Sequence, residues 1–304
     1  MAELAKSKKF YFINEKSFKG NFDNVHFFVM KNYNYGMHKQ SFFEINIITA
    51  GSGTHYIGDN QFEANVGDVF IVPPEMEHGY TGGKGFDVHH VTINNRFIQQ
   101  NLSELQMMNG FSVLFSVEPL MRASVNKPLY LKLSEEQFRD VYNIINTDPI
   151  DKYRYFKNYN SAIYATGMLL ILISTLCRIY EENMTAANEG TKTDDEAFMR
   201  SVAMIHERYS EKLTINMLAK EARLSKSTFM RRFIDVCKMP PNEYIIKKRI
   251  EAAEGMLINS SDSLNEIADA TGFYDSSHFS RTFKSQKGTS PSEYRRLHLP
   301  KKQT

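Results

Sequence analysis

A stretch of about twenty residues occurs twice in the last third of this chain, and that repetition constrains the fold more than any other feature. Leu213–Phe233 (LTINMLAKEARLSKSTFMRRF) aligns with Leu264–Phe283 (LNEIADATGFYDSSHFSRTF) at an offset of 49 residues that becomes 50 after one insertion. Ala219 then matches Ala268, Leu224 matches Phe273, Phe229 matches Phe279, Arg231 matches Arg281 and Phe233 matches Phe283. Self-similarity of this size marks a repeated supersecondary unit. Each copy predicts a short helix, a tight turn and a second helix opened by an N-cap, Ser225 in the first and Asp275 or Ser276 in the second. Two helix-turn-helix units over 213–235 and 264–286 follow.

At about 100° per residue, Phe229 and Phe233 share one stripe of the second helix, as do Phe279 and Phe283 in the other copy. Ser227, Arg231 and Ile234 fall on the far side of the first, and Ser277, Arg281 and Lys284 on the far side of the second. An arginine among small polar neighbours suits a major groove, because the helix can approach closely and a guanidinium donates two hydrogen bonds to guanine O6 and N7. Lys226, Arg232 and Lys284 are the candidates for phosphates, and Thr228 and His278 complete the candidate DNA-contacting set. Charge agrees: residues 1–196 carry 18 Lys and Arg against 23 Asp and Glu, whereas 197–304 carry 19 against 12. A net of −5 thus precedes a net of +7, and the basic part is the one to meet a polyanion. Ordinary solvated helix faces are the alternative, and matched arginines in two copies weigh against it.

Residues 200–297 resemble the DNA-binding domain of the AraC/XylS family of bacterial transcription regulators. The second copy carries the signature: Ile267-Ala268, Gly272-Phe273, Phe279-Ser280-Arg281, Phe283-Lys284, Gly288, Pro291 and Tyr294-Arg295. The first departs from it, with Arg223 and Lys238 where the family has glycine and Ile234 where it has lysine. The resemblance implies two units joined by a long helix, about Asn242 to Leu257, entering successive major grooves of double-stranded promoter DNA. RNA polymerase is an implied partner.

The N-terminal part reads differently. FFEINIITAGSGTHYIGDNQFEANVGDVFIVPPEMEHGY and FDVHHVTI alternate short β-rich runs with Gly-Asp-Asn and Val-Gly-Asp turns, the pattern of a small barrel or jelly roll. It resembles the cupin-like sensor domain common in the same family, and the domain is assigned to 1–130. Metal-binding cupins set two histidines, a glutamate and a later histidine around the ion; here those positions hold His38, Gln40, Glu44 and His78. The Gln40 amide is a poor substitute for imidazole, so no cofactor is assigned and His38, Glu44 and His78 remain metal candidates only. A polar, aromatic-edged interior fits a small hydroxylated effector, a carbohydrate above all. His38, Gln40, Glu44, Tyr56 and His78 would supply hydrogen bonds, and Phe43 and Phe86 ring faces. His55, His89 and His90 read as strand surface.

Helices are predicted over Ser134–Thr147 and about Tyr155–Asn183, within a dimerisation segment 131–183. The second is apolar on more of its circumference than one barrel covers, which points to a homodimer. It is long enough to span a membrane, but its asparagines, tyrosines, hydroxyls and glycine favour a buried helix and no membrane association. The small polar run 184–197 reads as a linker to a DNA-binding domain, 198–304. Cys177 and Cys237 lie in separate predicted helices and suggest no disulfide framework. The lysine-scattered first twenty residues contain no apolar signal core, and cytoplasmic localisation follows.

The expected fold class is therefore multidomain α and β: a cupin-like β-barrel with a helical pair, then an all-α domain with two helix-turn-helix units. The expected function is a ligand-responsive, sequence-specific transcription regulator, activator or repressor, and not an enzyme. A metal-dependent cupin enzyme carrying a DNA-binding module is the alternative, as is a regulator whose effector is a fatty acid or a protein partner.

Overall fold

The computed structural model describes residues 11–13, 24–108, 110–124, 131–146, 159–186 and 194–298. The first ten residues, and 187–193 of the expected linker, lie outside the described residues. The chain divides into two compact units, Met1–Thr191 and Lys192–Thr304.

The first unit holds two five-stranded sheets. One orders β1 (Tyr11–Ile13), β3 (Tyr35–Gln40), β8 (His78–Gly82), β5 (Ser52–Ile57) and β6 (Asn60–Asn65). The other orders β10 (Leu131–Lys132), β7 (Asp68–Val72), β4 (Phe43–Ala50), β9 (Asp87–Ile93) and β2 (Val25–Met30). β1 lies parallel to β3, and the remaining pairings are antiparallel.

Alternation along the second sheet separates two environments. Ile45, Ile47, Val69, Ile71, Val91 and Ile93 project to the outer face, into an apolar core shared with helices. Ile48, Phe70 and Val88 project inward and meet Tyr80 and Ala64 of the first sheet, with Tyr33 and Phe86. The strand prediction therefore holds, and both faces are covered.

Among the described residues of this unit, six helical elements come after β9, with β10 between the fourth and fifth. They are α1 (Asn95–Gln100), α2 (Leu102–Gln106), a π-helical turn (Val113–Val117), α3 (Glu118–Ser124), α4 (Glu135–Ile145) and α5 (Tyr159–Ala186). The elements within 95–124 lie in a stretch of the N-terminal domain for which no helix is predicted. Ser134 opens α4 with a reciprocal capping box to Gln137. Val141 and Ile145 of α4, and Leu169, Leu172, Ile173, Leu176 and Ile179 of α5, complete the outer-face core. The apolar helix is thus covered on one side by the sheet, while Ile163, Leu170 and Ile171 stay exposed on the other.

The second unit is all-helical: α6 (Asp194–Arg208), α7 (Ile215–Glu221), α8 (Lys226–Cys237), α9 (Pro241–Asn259), α10 (Leu264–Ala270), α11 (Ser276–Lys287) and α12 (Pro291–His298). α6 begins inside the stretch expected as linker, and α5 also extends into it. Side-chain caps start all four helices of the two motifs. Thr214 caps α7, Ser225 caps α8, Ser263 caps α10 with a capping box to Glu266, and Asp275, not Ser276, caps α11. Pro241 at the first turn of α9 presets the helical φ.

Candidate DNA-reading face and barrel interior

The two second helices are built alike. In α8, Phe229 and Phe233 are fully buried with centroids 5.5 Å apart, and Phe233 meets Tyr244 edge-on at 5.4 Å. In α11, Phe279 and Phe283 are buried at 5.7 Å, and Phe283 meets Tyr294 edge-on at 5.3 Å. These contacts fix each helix in rotation and leave Ser227 and Arg231, or Ser277, Arg281 and Lys284, facing solvent. Lys226 is exposed at the start of α8. Among the described residues Arg231 and Arg281 make no ion pair, so both guanidinium forks are available to an external acceptor.

Three of the predicted contacts are placed otherwise. Arg232 is ion-paired with Asp195, donates to the Asp194 carbonyl at 3.2 Å and stacks 4.5 Å over Phe198, so it ties α8 to α6. Thr228 is half-buried, with its hydroxyl 2.8 Å from that of Ser225 in the cap. His278 packs edge-on against Phe273 at 5.5 Å. The signal for Arg232 was Asp195, but it lies in the run that read as linker.

The departures from glycine keep the glycine conformation. Arg223 has φ 56° where Gly272 has 77°, and Lys238 has φ 57° where Gly288 has 74°. Both turns are therefore left-handed in both copies, and in the first a side chain bears the strain.

In the barrel, His38, Glu44 and His78 converge, fully or nearly buried. His78 Nε2 lies 3.3 Å from Glu44 Oε2, His90 Nδ1 lies 3.8 Å from Oε1, and Asn46 donates to Oε2 at 3.1 Å. The His38 and His78 rings are 4.3 Å apart. Burial by itself would raise the Glu44 pKa, but the His78 and His90 rings beside it hold its carboxyl well below the usual carboxylate range. Burial, with His78 alongside, pulls His38 down to about 4, so its ring is neutral near pH 7. Gln40 lies on the same face of β3 as His38, and both its amide atoms are buried without a protein hydrogen-bond partner.

Tyr56 does not join them. It faces the other side of β5, where its hydroxyl accepts from Thr81 at 3.2 Å, and its neighbour His55 points inward. His55 and His90, read as surface, are inside the barrel, and His89 is buried as well. Phe86 lines the interior as expected, whereas Phe43 packs on the outer face beside Phe115.

His55 has a defined tautomer. Arg122 of α3 is fully buried, pairs with Glu118 at 3.0 Å and donates from Nη1 to His55 Nδ1 at 3.3 Å. A guanidinium has no acceptor, so Nδ1 accepts and the proton sits on Nε2. That N–H is buried without a protein partner. Burial and then the Arg122 charge lower the His55 pKa well below the usual histidine value. Among the described residues, no group of three or more His, Cys, Asp or Glu side chains is arranged to hold a metal ion.

A polar-lined barrel and a basic pair of helix-turn-helix units define a ligand-binding transcription regulator. Residues 26–135 match the AraC-like ligand binding domain and residues 218–297 a helix-turn-helix domain. The chain belongs to the AraC family. It is 25% identical over 272 residues to the Msm operon regulatory protein of Streptococcus mutans, covering 88% of each chain. It is 22% identical to the HTH-type transcriptional activator RhaR of Mannheimia succiniciproducens, covering 87% of this chain and 88% of the relative. Among solved structures, the DNA-binding domain of AdpA bound to a target DNA is 31% identical and covers 33% of this chain and 91% of its own, with a TM-score of 0.33. ToxT from Vibrio cholerae is 15% identical and covers 91% of this chain and 98% of its own, with a TM-score of 0.35.

Proposed function

We propose that this regulator is a cytoplasmic, non-enzymatic activator that binds a neutral polyhydroxylated metabolite, a carbohydrate, in its barrel and reads promoter sequence through Arg231 and Arg281. The observation that carries the effector class is the set of buried polar groups without a protein partner: both amide atoms of Gln40, Nε2 of His55 and Nε2 of His90. Buried polar groups are nearly always hydrogen-bonded, and a ring of hydroxyls, each donor and acceptor, supplies partners for such a mixture. The charge balance argues against an anion. Glu44 is ionised, and the Arg122 charge is matched by Glu118. A fatty acid or sugar acid would meet an uncompensated carboxylate.

Exposed Ile163, Leu170 and Ile171 on α5 support a homodimer, since such a stripe is covered most simply by its own copy. RNA polymerase is the further partner of an activator.

The test is a thermal-shift titration of the full chain with neutral monosaccharides and alditols, alongside uronic acids and fatty acids. A neutral sugar at a hundredfold excess over its Kd adds about 2.7 kcal/mol of stability and alters affinity for a duplex selected by the protein. Stabilisation by the acids alone reverses the reading.

A further inference from the structure

The second helix-turn-helix unit is locked to the helix that supports the first. Arg249, in the middle of α9, donates from Nε to the Tyr209 carbonyl at 2.8 Å and from Nη2 to the Glu211 carbonyl at 2.9 Å, which lie in the loop after α6. That loop is itself braced by Arg208, 2.6 Å from Glu211 Oε2. The face of the same guanidinium lies 5.9 Å from the centre of the Phe273 ring, in the turn between α10 and α11. The turn's Gly272 sits flush on the loop, where a Cβ would overlap the Ser210 carbonyl group.

The first copy isolates the meaning of that glycine. Arg223 occupies the equivalent turn with the same left-handed backbone and an exposed side chain. Left-handed geometry alone therefore does not demand glycine in this motif. Gly272 is required by the approach of the Ser210 backbone, which has no counterpart at Arg223. In the second copy, Arg295 clasps the last turn of α9 and the loop after it through the Leu257 and Asp262 carbonyls. Arg249 makes a comparable pair of carbonyl contacts from a position one turn further along its helix, and its guanidinium also lies over a ring of the neighbouring unit.

We infer that Arg249, Gly272 and the Tyr209–Ser210–Glu211 loop form a joint that fixes the spacing and phase of the two recognition helices, making Arg249 and Gly272 positioning residues for operator spacing. A jointed reader accepts one separation between its two base blocks, whereas a loose one loses the benefit of presenting the second helix already in place. The consequence for DNA rests on the proposed two-helix reading; the joint itself does not.

Two measurements on the full chain separate these. Spin labels at Lys220→Cys and Asp269→Cys, exposed and equivalent positions on α7 and α10, report the distance between units without DNA, Cys177 and Cys237 being buried. Arg249→Met and, separately, Gly272→Ala should each broaden or shift a narrow distance distribution. Selection from random-sequence duplexes should return two base blocks at one spacing for the unsubstituted chain. For each variant it should return the same blocks at spacings spread by one or two base pairs, with about tenfold weaker binding to the original spacing. An unchanged distribution and an unchanged spacing in both variants overturn the joint. Loss of cooperative unfolding in both assigns the residues to folding and also overturns it. One block from the unsubstituted chain defeats the two-helix reading, and the spin-label distances then decide the joint alone.

Discussion

The two helix-turn-helix units share caps, turns and aromatic spacing, yet their cores are closed from different places. The second unit contains its own third ring: Phe273, in the turn, lies 5.3 Å from Phe279. The first has Leu224 there and borrows a ring from outside the repeat, Phe198 of α6, 6.0 Å from Phe229 and 6.3 Å from Phe233. Arg232 holds that borrowed ring through its stack and its ion pair with Asp195. One unit thus supplies its third ring from within the repeat, while the other depends on a ring from a helix that starts where the chain looks like linker. A repeat in sequence need not be a repeat in stability.

The hardest blow to this comparison is Phe198→Ala, which should cost about 3–5 kcal/mol. Hydrogen exchange should show protection lost in α7 and α8 and retained in α10 and α11. Loss spread evenly over both units would erase the distinction. Next come the outward arginines. Arg281→Ala should cost about 1–3 kcal/mol of operator binding and relax base preference at one position. Arg231→Ala should do the same at a second position, as read by binding to single-base operator variants. Lys284→Ala should weaken all sequences alike and flatten the salt dependence. Equal effects of Arg281→Ala on every sequence would reassign it to phosphate. The smallest effect is a gain: Arg223→Gly should raise stability by about 1 kcal/mol or less, because it relieves a left-handed side chain. A fall in the melting temperature would show that the Arg223 side chain contributes more than its backbone costs.

The repeated units were legible because their determinants are local. An N-cap and its third residue, or two rings four residues apart, lie within one turn of helix and need no partner from elsewhere. The tie from Arg232 to α6 was not legible because its partner is 37 residues away, on a helix whose first turn is acidic and small. The barrel was legible as alternating strands, but which side chain faced inward depended on register. One residue separates Tyr56 from His55, and the wrong choice exchanges a buried histidine with a fixed tautomer for a tyrosine on the opposite face. Arg122 was unreadable for a related reason: nothing near α3 in the chain shows that its arginine enters a sheet core beside a histidine 67 positions earlier.

The two-sided β4 strand has a mechanical consequence. Glu44 and Asn46 face the barrel interior, and Ile45 and Ile47, alternating with them, are wedged into the packing of the outer helices. A guest that pulls on the carboxylate or the amide therefore tugs a cord whose alternate knots are already held on the far side. If the barrel holds an effector as proposed, its occupancy would reach the helices across the thickness of one peptide chain.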